Sequence, residues 1–265
     1  MNFYKIRKYI YNYQSKFNLK VGIDINKFKS TPYTYLKTRF NIEMASLLTY
    51  VSLKMLIKPN SLTTVYAGLA AMGGILLAIP GNESFNLIAI IIFFLKSVLD
   101  MSDGPLARIS NQTSNFGSFL DAWAGKFGHT CFIVGLGLHL FNKNSEFYFL
   151  ILIIIILITN STNFKLINLQ LCDLAIFKKA RNIKNSKNLR NKKKSKDRFV
   201  IEKVKALIRS AFDDRSRSTD LICFLIFINF SRDILIILNL IFYFITLKSV
   251  LAFFYSLHIT KNLYK

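Results

Sequence analysis

Apolar stretches at 61–80, 84–99, 130–141, 147–158 and 221–259, most of them followed by a polar break, leave this chain few possible folds. A helix needs about 20 residues to cross the hydrocarbon core of a bilayer, so several of these stretches are membrane spans in prospect. An ordinary soluble protein is excluded, and with 52% hydrophobic residues so is a disordered basic one. The breaks divide the chain into six spans. Four lie at about 61–80, 84–103, 117–141 and 147–168, and two share 219–259, divided at Ser231-Arg232-Asp233. The expected fold is therefore all-α: a polytopic membrane protein with six transmembrane helices.

The 36 Lys and Arg against 14 Asp and Glu invite a nucleic-acid reading, but their placement argues otherwise. Segments 1–60, 104–116, 170–217 and 261–265 hold 30 of them, whereas the loops 81–85, 142–146 and 231–233 hold two. Basic loops stay cytoplasmic, so both termini should face the cytoplasm, with a plasma (inner) membrane as the expected site. Polybasic segments at that face also bind anionic headgroups, so the charge calls for membrane lipids as partners and for no nucleic acid.

Cys131, Cys172 and Cys223 have no short spacing, and a disulfide framework or CxxC site is not expected. Residues 1–17 lack the continuous apolar core of a cleaved signal peptide. Residues 1–40 are polar, basic and Tyr-rich, without a clear period. From Met44 onward Leu47, Leu48, Val51 and Met55 fall on one helical face, which reads as an amphipathic helix in the cytoplasmic interface. Pro59 ends it, and Asn60 or Ser61 can cap the next helix. Gly68, Gly73 and Gly74 in the first span are suited to close helix approach. Within the basic loop 170–217, Val200, Val204, Leu207, Ile208 and Ala211 would share one face of a second interfacial helix; a solvated arm is the alternative.

Three carboxylates stand at or within apolar segments: Asp100, Asp103 and Asp121. Each costs about 2.5–3.5 kcal/mol at a bilayer centre, less near an interface, so three together need compensation. Asp100 and Asp103 share a helix face at the cytoplasmic end of the second span, and Asp121 lies one turn inside the third. All three should reach the same membrane side. Clustered carboxylates suit hard cations such as Mg²⁺ or Mn²⁺. His129, His139 and His258 have no zinc spacing. Gly104 would admit a phosphate close to backbone, and Arg108 could hold phosphate oxygens in a fork. Cation, phosphate grip and membrane together suggest phosphoryl-group transfer on a lipid.

The pattern Asp100-x2-Asp103-Gly104-x2-Ala107-Arg108-x8-Gly117-x3-Asp121 resembles the signature of the CDP-alcohol phosphatidyltransferase family, D-x2-D-G-x2-A-R-x8-G-x3-D-x3-D, at seven of eight positions. Pro59-Asn60-x-Leu62-Thr63 looks like a short motif that family often carries ahead of its first span. The resemblance implies a two-metal site using Mg²⁺ or Mn²⁺, with Asp100, Asp103 and Asp121 as ligands. It implies that Gly104, Ala107, Arg108 and Gly117 line the CDP moiety. The implied reaction is attack of an acceptor alcohol on the β-phosphate of a CDP-alcohol, commonly CDP-diacylglycerol, with release of CMP in phospholipid biosynthesis. A homodimer is also implied. The regions would be a cytoplasmic segment 1–58, a catalytic membrane domain 59–260 that includes the loop 170–217, and a tail 261–265. Residues 1–40 and most of the loop lie outside the resemblance.

At the eighth position this chain has Gly125 where the family has Asp, a ligand and base. Loss of a general base costs about 10²–10⁴ in rate. Three explanations stay open: His129, one turn further and about 6 Å away, serves as base; the acceptor's phosphate or a water takes the proton; or the protein is a degenerate relative acting as a non-enzymatic membrane partner. A histidine packed among helices is the more ordinary reading of His129, and Lys126 reads as a snorkelling residue. A transporter is disfavoured, because its charges would lie toward the midplane.

Overall fold

The computed structural model describes residues 2–20, 32–81, 83–161, 215–229 and 234–263. Among them no strand occurs. In chain order the helices are α1 (Phe3–Lys20), α2 (Pro32–Lys54), α3 (Pro59–Ala78), α4 (Glu83–Ile109), α5 (Asn115–Asn144), α6 (Tyr148–Ser161), α7 (Arg215–Asn229) and α8 (Leu235–Leu263). Among the described residues α3, α4 and Leu235–His258 of α8 are long and apolar enough to cross a membrane, while α6 and Thr219–Asn229 are apolar but shorter. The basic loop with its second interfacial helix, Cys172, the end of the fourth span and the break at Ser231-Arg232-Asp233 fall outside the described residues. The chain forms two compact units, Met1–His139 and Leu140–Lys265.

In the first unit α3, α4 and α5 pack together because small residues remove the side chains that would hold them apart. A Cβ on Gly135 would stand 2.5 Å from the Gly74 carbonyl oxygen, and one on Gly74 would stand 2.6 Å from that of Cys131. The backbones of α3 and α5 therefore touch, as small residues allow in membrane helices. Gly73 seats the Phe93 ring of α4, which packs edge-on against Phe132 of α5 at 4.8 Å between ring centres. Gly68, expected in the same role, faces open space. Contacts that pair Thr63 with Asp103 and Gly73 with Phe93 make α3 and α4 antiparallel. Those pairing Asn60 with Gly117 and Gly74 with Gly135 make α3 and α5 parallel. The starts of α3 and α5 and the end of α4 thus share one end of the bundle. Outward faces such as Val65, Met72 and Ile75 on α3, or Ile88, Ile91 and Leu95 on α4, are exposed apolar stripes of the kind that lipid covers.

Three helix boundaries differ from the sequence expectation. α4 does not stop at Asp103: it continues through Gly104 and Pro105 to Ile109, which shortens the connection to α5. Proline removes one backbone donor within a helix, and here it is accepted with the Pro105 ring buried. α3 starts at Pro59 in the first helical position, where the missing N–H is no loss, so Lys58 rather than Asn60 or Ser61 is the cap residue. α2 begins at Pro32 and packs beside α4 through Asn41, Ala45, Thr49 and Ser52, all buried. Its Met44, Leu47, Val51 and Met55 stripe points outward instead.

The aperiodic N-terminus of the sequence reading is a helix. Ile6, Tyr9, Ile10 and Tyr13 follow the 3–4 spacing of an amphipathic stripe. Ile6 and Ile10 bury against Ile42 of α2, with Met101 and Ile109 of α4 packed around them. The Arg7 guanidinium grips Glu43 from both sides of the fork at 2.6–2.8 Å.

In the second unit α6 and α8 run side by side. Asn144 and Asn239 exchange amide hydrogen bonds at 3.2 and 3.3 Å, the Phe149 ring meets Phe242, and Thr159 hydrogen-bonds Ser249 at 2.7 Å. The paired numbers rise together, so the two helices are parallel.

Candidate active site

The carboxylates sit at the shared end of the first unit's bundle. Asp100, Asp103, Gly104, Ala107 and Arg108 are spaced 0, 3, 4, 7 and 8 along α4. At 3.6 residues per turn that is one face, and the helix's passage through Pro105 keeps it unbroken. Gly117, Asp121, Gly125 and His129 recur every fourth residue of α5 and form a second stripe. The spacing of the two motif halves is therefore the spacing of two helix faces.

Across the helices, the Asp100 and Asp121 carboxyls meet. Both residues are exposed at this bundle end, whereas Asp103 is buried. Thr63 of α3 donates its hydroxyl to Asp103 Oδ2 at 2.7 Å. Asn60 rests against Gly117, where a Cβ would lie 3.0 Å from its Oδ1. Ser114 caps α5 by accepting the Gly117 N–H at 2.9 Å. The short motif ahead of α3 thus touches the main motif at two points, Asn60 on Gly117 and Thr63 on Asp103. Its signal was present in the sequence; its partners were not.

Arg108 folds back over α4, its Nη2 and Nη1 standing 3.2 and 3.3 Å from where a Gly104 Cβ would be. Glycine at 104 is what leaves the guanidinium this seat. The Tyr9 hydroxyl accepts the Arg108 Nε–H at 3.1 Å, and the Tyr13 ring lies 4.2 Å from the guanidinium carbon. Sequence reasoning missed both tyrosines, because the motif gives no hint of a contact between residues 99 apart. Ala107 is half-buried on the same face. Gly125 is half-buried with the Tyr66 hydroxyl 3.9 Å from a Cβ placed there, and His129 is half-buried one turn on. The Lys96 ammonium lies 5.3 and 5.8 Å from the Phe93 and Tyr66 ring centres.

Among the described residues no three His, Cys, Asp or Glu side chains converge closely enough to cage an ion. The donor chemistry nonetheless fits a hard cation. Asp100 and Asp121 bring two carboxyls together across α4 and α5, and oxygen donors of this kind are what a hard cation takes. Asp103 is held by Thr63 rather than turned into that pair.

A helical membrane protein with acidic side chains and a seated guanidinium gathered at one bundle end is the class that fold and site define. Residues 56–186 match the family model CDP-alcohol phosphatidyltransferase, so the chain carries that family's pattern across α3, α4, α5 and α6. The family is one of transferases, moving a phosphatidyl group from a CDP-alcohol, and generally depends on a divalent metal. No curated protein and no solved structure matches the chain.

Proposed function

We propose that the chain transfers a phosphatidyl or other substituted phosphate group from a CDP-alcohol, CDP-diacylglycerol foremost, to an acceptor alcohol in phospholipid synthesis. The observation that carries this reading is the meeting of Asp100 with Asp121 beside the Thr63-bound Asp103 and the Gly104-seated Arg108. Asp100, Asp103 and Asp121 would hold Mg²⁺ or Mn²⁺, two ions in the full arrangement; a bound cation supplies charge neutralisation at the attacking and leaving oxygens. Arg108 would grip phosphate oxygens through its Nη groups. Gly104, Ala107 and Gly117 would line the CDP moiety, Gly104 by seating Arg108 and Gly117 by admitting Asn60. The acceptor O–H bond breaks as its oxygen bonds the β-phosphorus, and CMP departs with the electrons of the broken P–O bond. The proton passes to His129, to the acceptor's own phosphate or to water.

The wider reading has six spans, both termini and the site on the cytoplasmic side of the plasma membrane, and a homodimer. Parallel α6 and α8 support the count, since spans four and six must point the same way. The outward apolar stripe of α2 supports an interfacial helix within a cytoplasmic segment 1–58, followed by the membrane domain 59–260 and the tail 261–265.

Measured CMP release from CDP-diacylglycerol, with and without Mn²⁺ across a panel of acceptors, tests the assignment. Release should require metal and fall about 100-fold or more in Asp121→Asn. Metal-independent release would overturn the metal role. A second reading, a catalytically degenerate partner protein, is favoured by Gly125 alone. It predicts no release with any acceptor and a gain of release in Gly125→Asp, at a position where an added Cβ meets the Tyr66 hydroxyl at an ordinary 3.9 Å.

A further inference from the structure

We infer that α1, which lies outside the family-matched stretch, supplies two positioning residues, Tyr9 and Tyr13, that fix the Arg108 guanidinium for a nucleoside diphosphate. The inference rests on the reading of Arg108 as the phosphate grip. An arginine side chain has several rotatable bonds, and a two-pronged grip on phosphate oxygens needs its plane held. Three contacts hold it here. Tyr9 Oη takes the Nε–H at 3.1 Å, the Tyr13 ring lies 4.2 Å from Cζ, and Gly104 receives the Nη end. With Nε engaged by Tyr9, the Nη groups are the donors turned to the motif face, as a diphosphate requires.

The tyrosines are themselves fixed. They share the stripe of Ile6 and Ile10, which are fully buried against Ile42, and the Arg7 fork on Glu43 pins α1 to α2. α1 is thus docked on the bundle with its aromatic face against the motif. α1 lies outside the stretch matched to the family, residues 56–186.

The test is equilibrium binding of CDP, and CMP release from CDP-diacylglycerol, by the full chain in nanodiscs. Tyr9→Phe removes one hydrogen bond to a charged donor and should raise Kd and KM about tenfold while kcat at saturation stays within about twofold. Tyr13→Leu should raise them severalfold, and Tyr13→Phe, which keeps the ring, should restore wild-type values. In an Arg108→Gln background neither tyrosine substitution should add a further loss. A role merely in folding would lower the melting temperature and add its loss to that of Arg108→Gln, and that result overturns the inference. Normal CDP affinity in Tyr9→Phe and Tyr13→Leu overturns it alone, leaving the phosphate reading intact. Failure of the wild-type chain to bind CDP overturns both.

Discussion

At the residue scale the informative contact is Thr63 with Asp103. A buried carboxylate that loses a hydroxyl donor retains its desolvation penalty, about 1–3 kcal/mol or more for a charged group. Thr63→Val keeps the shape and removes the donor, so CMP-release kcat/KM should fall about 10- to 100-fold, with Thr63→Ser close to wild type. Equal activity in both variants would show that the hydroxyl has no part in holding Asp103. The main motif was legible because its spacing is helical: positions 0, 3, 4, 7 and 8 need only a continuous α4 to share a face. The role of Thr63 was half legible. Its motif could be read, but a contact between residues 40 apart depends on how α3 and α4 cross. The absent family Asp at Gly125 was visible at once, and the space around it was not.

At the scale of elements, the first unit depends on backbone contact between α3 and α5. An added methyl at Gly135 meets a carbonyl oxygen at 2.5 Å, and backbone cannot swing aside as a side-chain tip can. Gly135→Ala should destabilise the detergent-solubilised protein by about 1–3 kcal/mol, seen as a lower melting temperature. Gly68→Ala, in open space, should be neutral or slightly stabilising through helix propensity. An unchanged melting temperature in Gly135→Ala would rule out the close crossing. The attachment of α1 should depend on pH. Arg7 holds the Glu43 carboxyl below its ordinary range through the hydrogen-bonded fork. A depressed acid stabilises docking at pH values above its ordinary pKa, and that contribution is lost as pH falls through the lowered folded value. Protection of α1 amides from exchange should therefore be full at neutral pH and decline in acid below about pH 4. Both side chains are more than a third exposed, at 41% and 44%, so salt should weaken the same contact. Glu43→Gln should lower protection at neutral pH and flatten its acid dependence; a full acid response in that variant would assign the effect to another group. The α1 stripe escaped notice because two of its four positions are tyrosines among lysines, which blurs a hydrophobic period. α2 misled in the opposite sense. Its apolar face was visible, but in a membrane protein the face that packs on a neighbour can be the small polar one, here Asn41, Ala45, Thr49 and Ser52.

For the whole molecule, the order of the breaks carried more than any single residue could. Antiparallel α3 and α4, with α3 and α5 parallel, follow from spans that alternate in direction, and that alternation gathers Asp100, Asp103 and Asp121 at one end. In the second unit α6 and α8 are parallel, as the proposed fourth and sixth spans would be. Alternation fixes relative sides but not which side is inside; that choice rests on the 30-to-2 division of Lys and Arg. The two claims can be separated by cysteine labelling in a cysteine-free background of intact cells. Glu83→Cys, at the start of α4, and Gln112→Cys, between α4 and α5, are both at exposed positions. An impermeant maleimide should label position 83 from outside and reach position 112 only after the membrane is opened. Labelling of both from one side would mean that α4 does not cross, and the site could not be assembled by alternation. The reverse pattern would leave the bundle intact but turn the carboxylates and Arg108 outward, and the cytoplasmic placement of the site would fail.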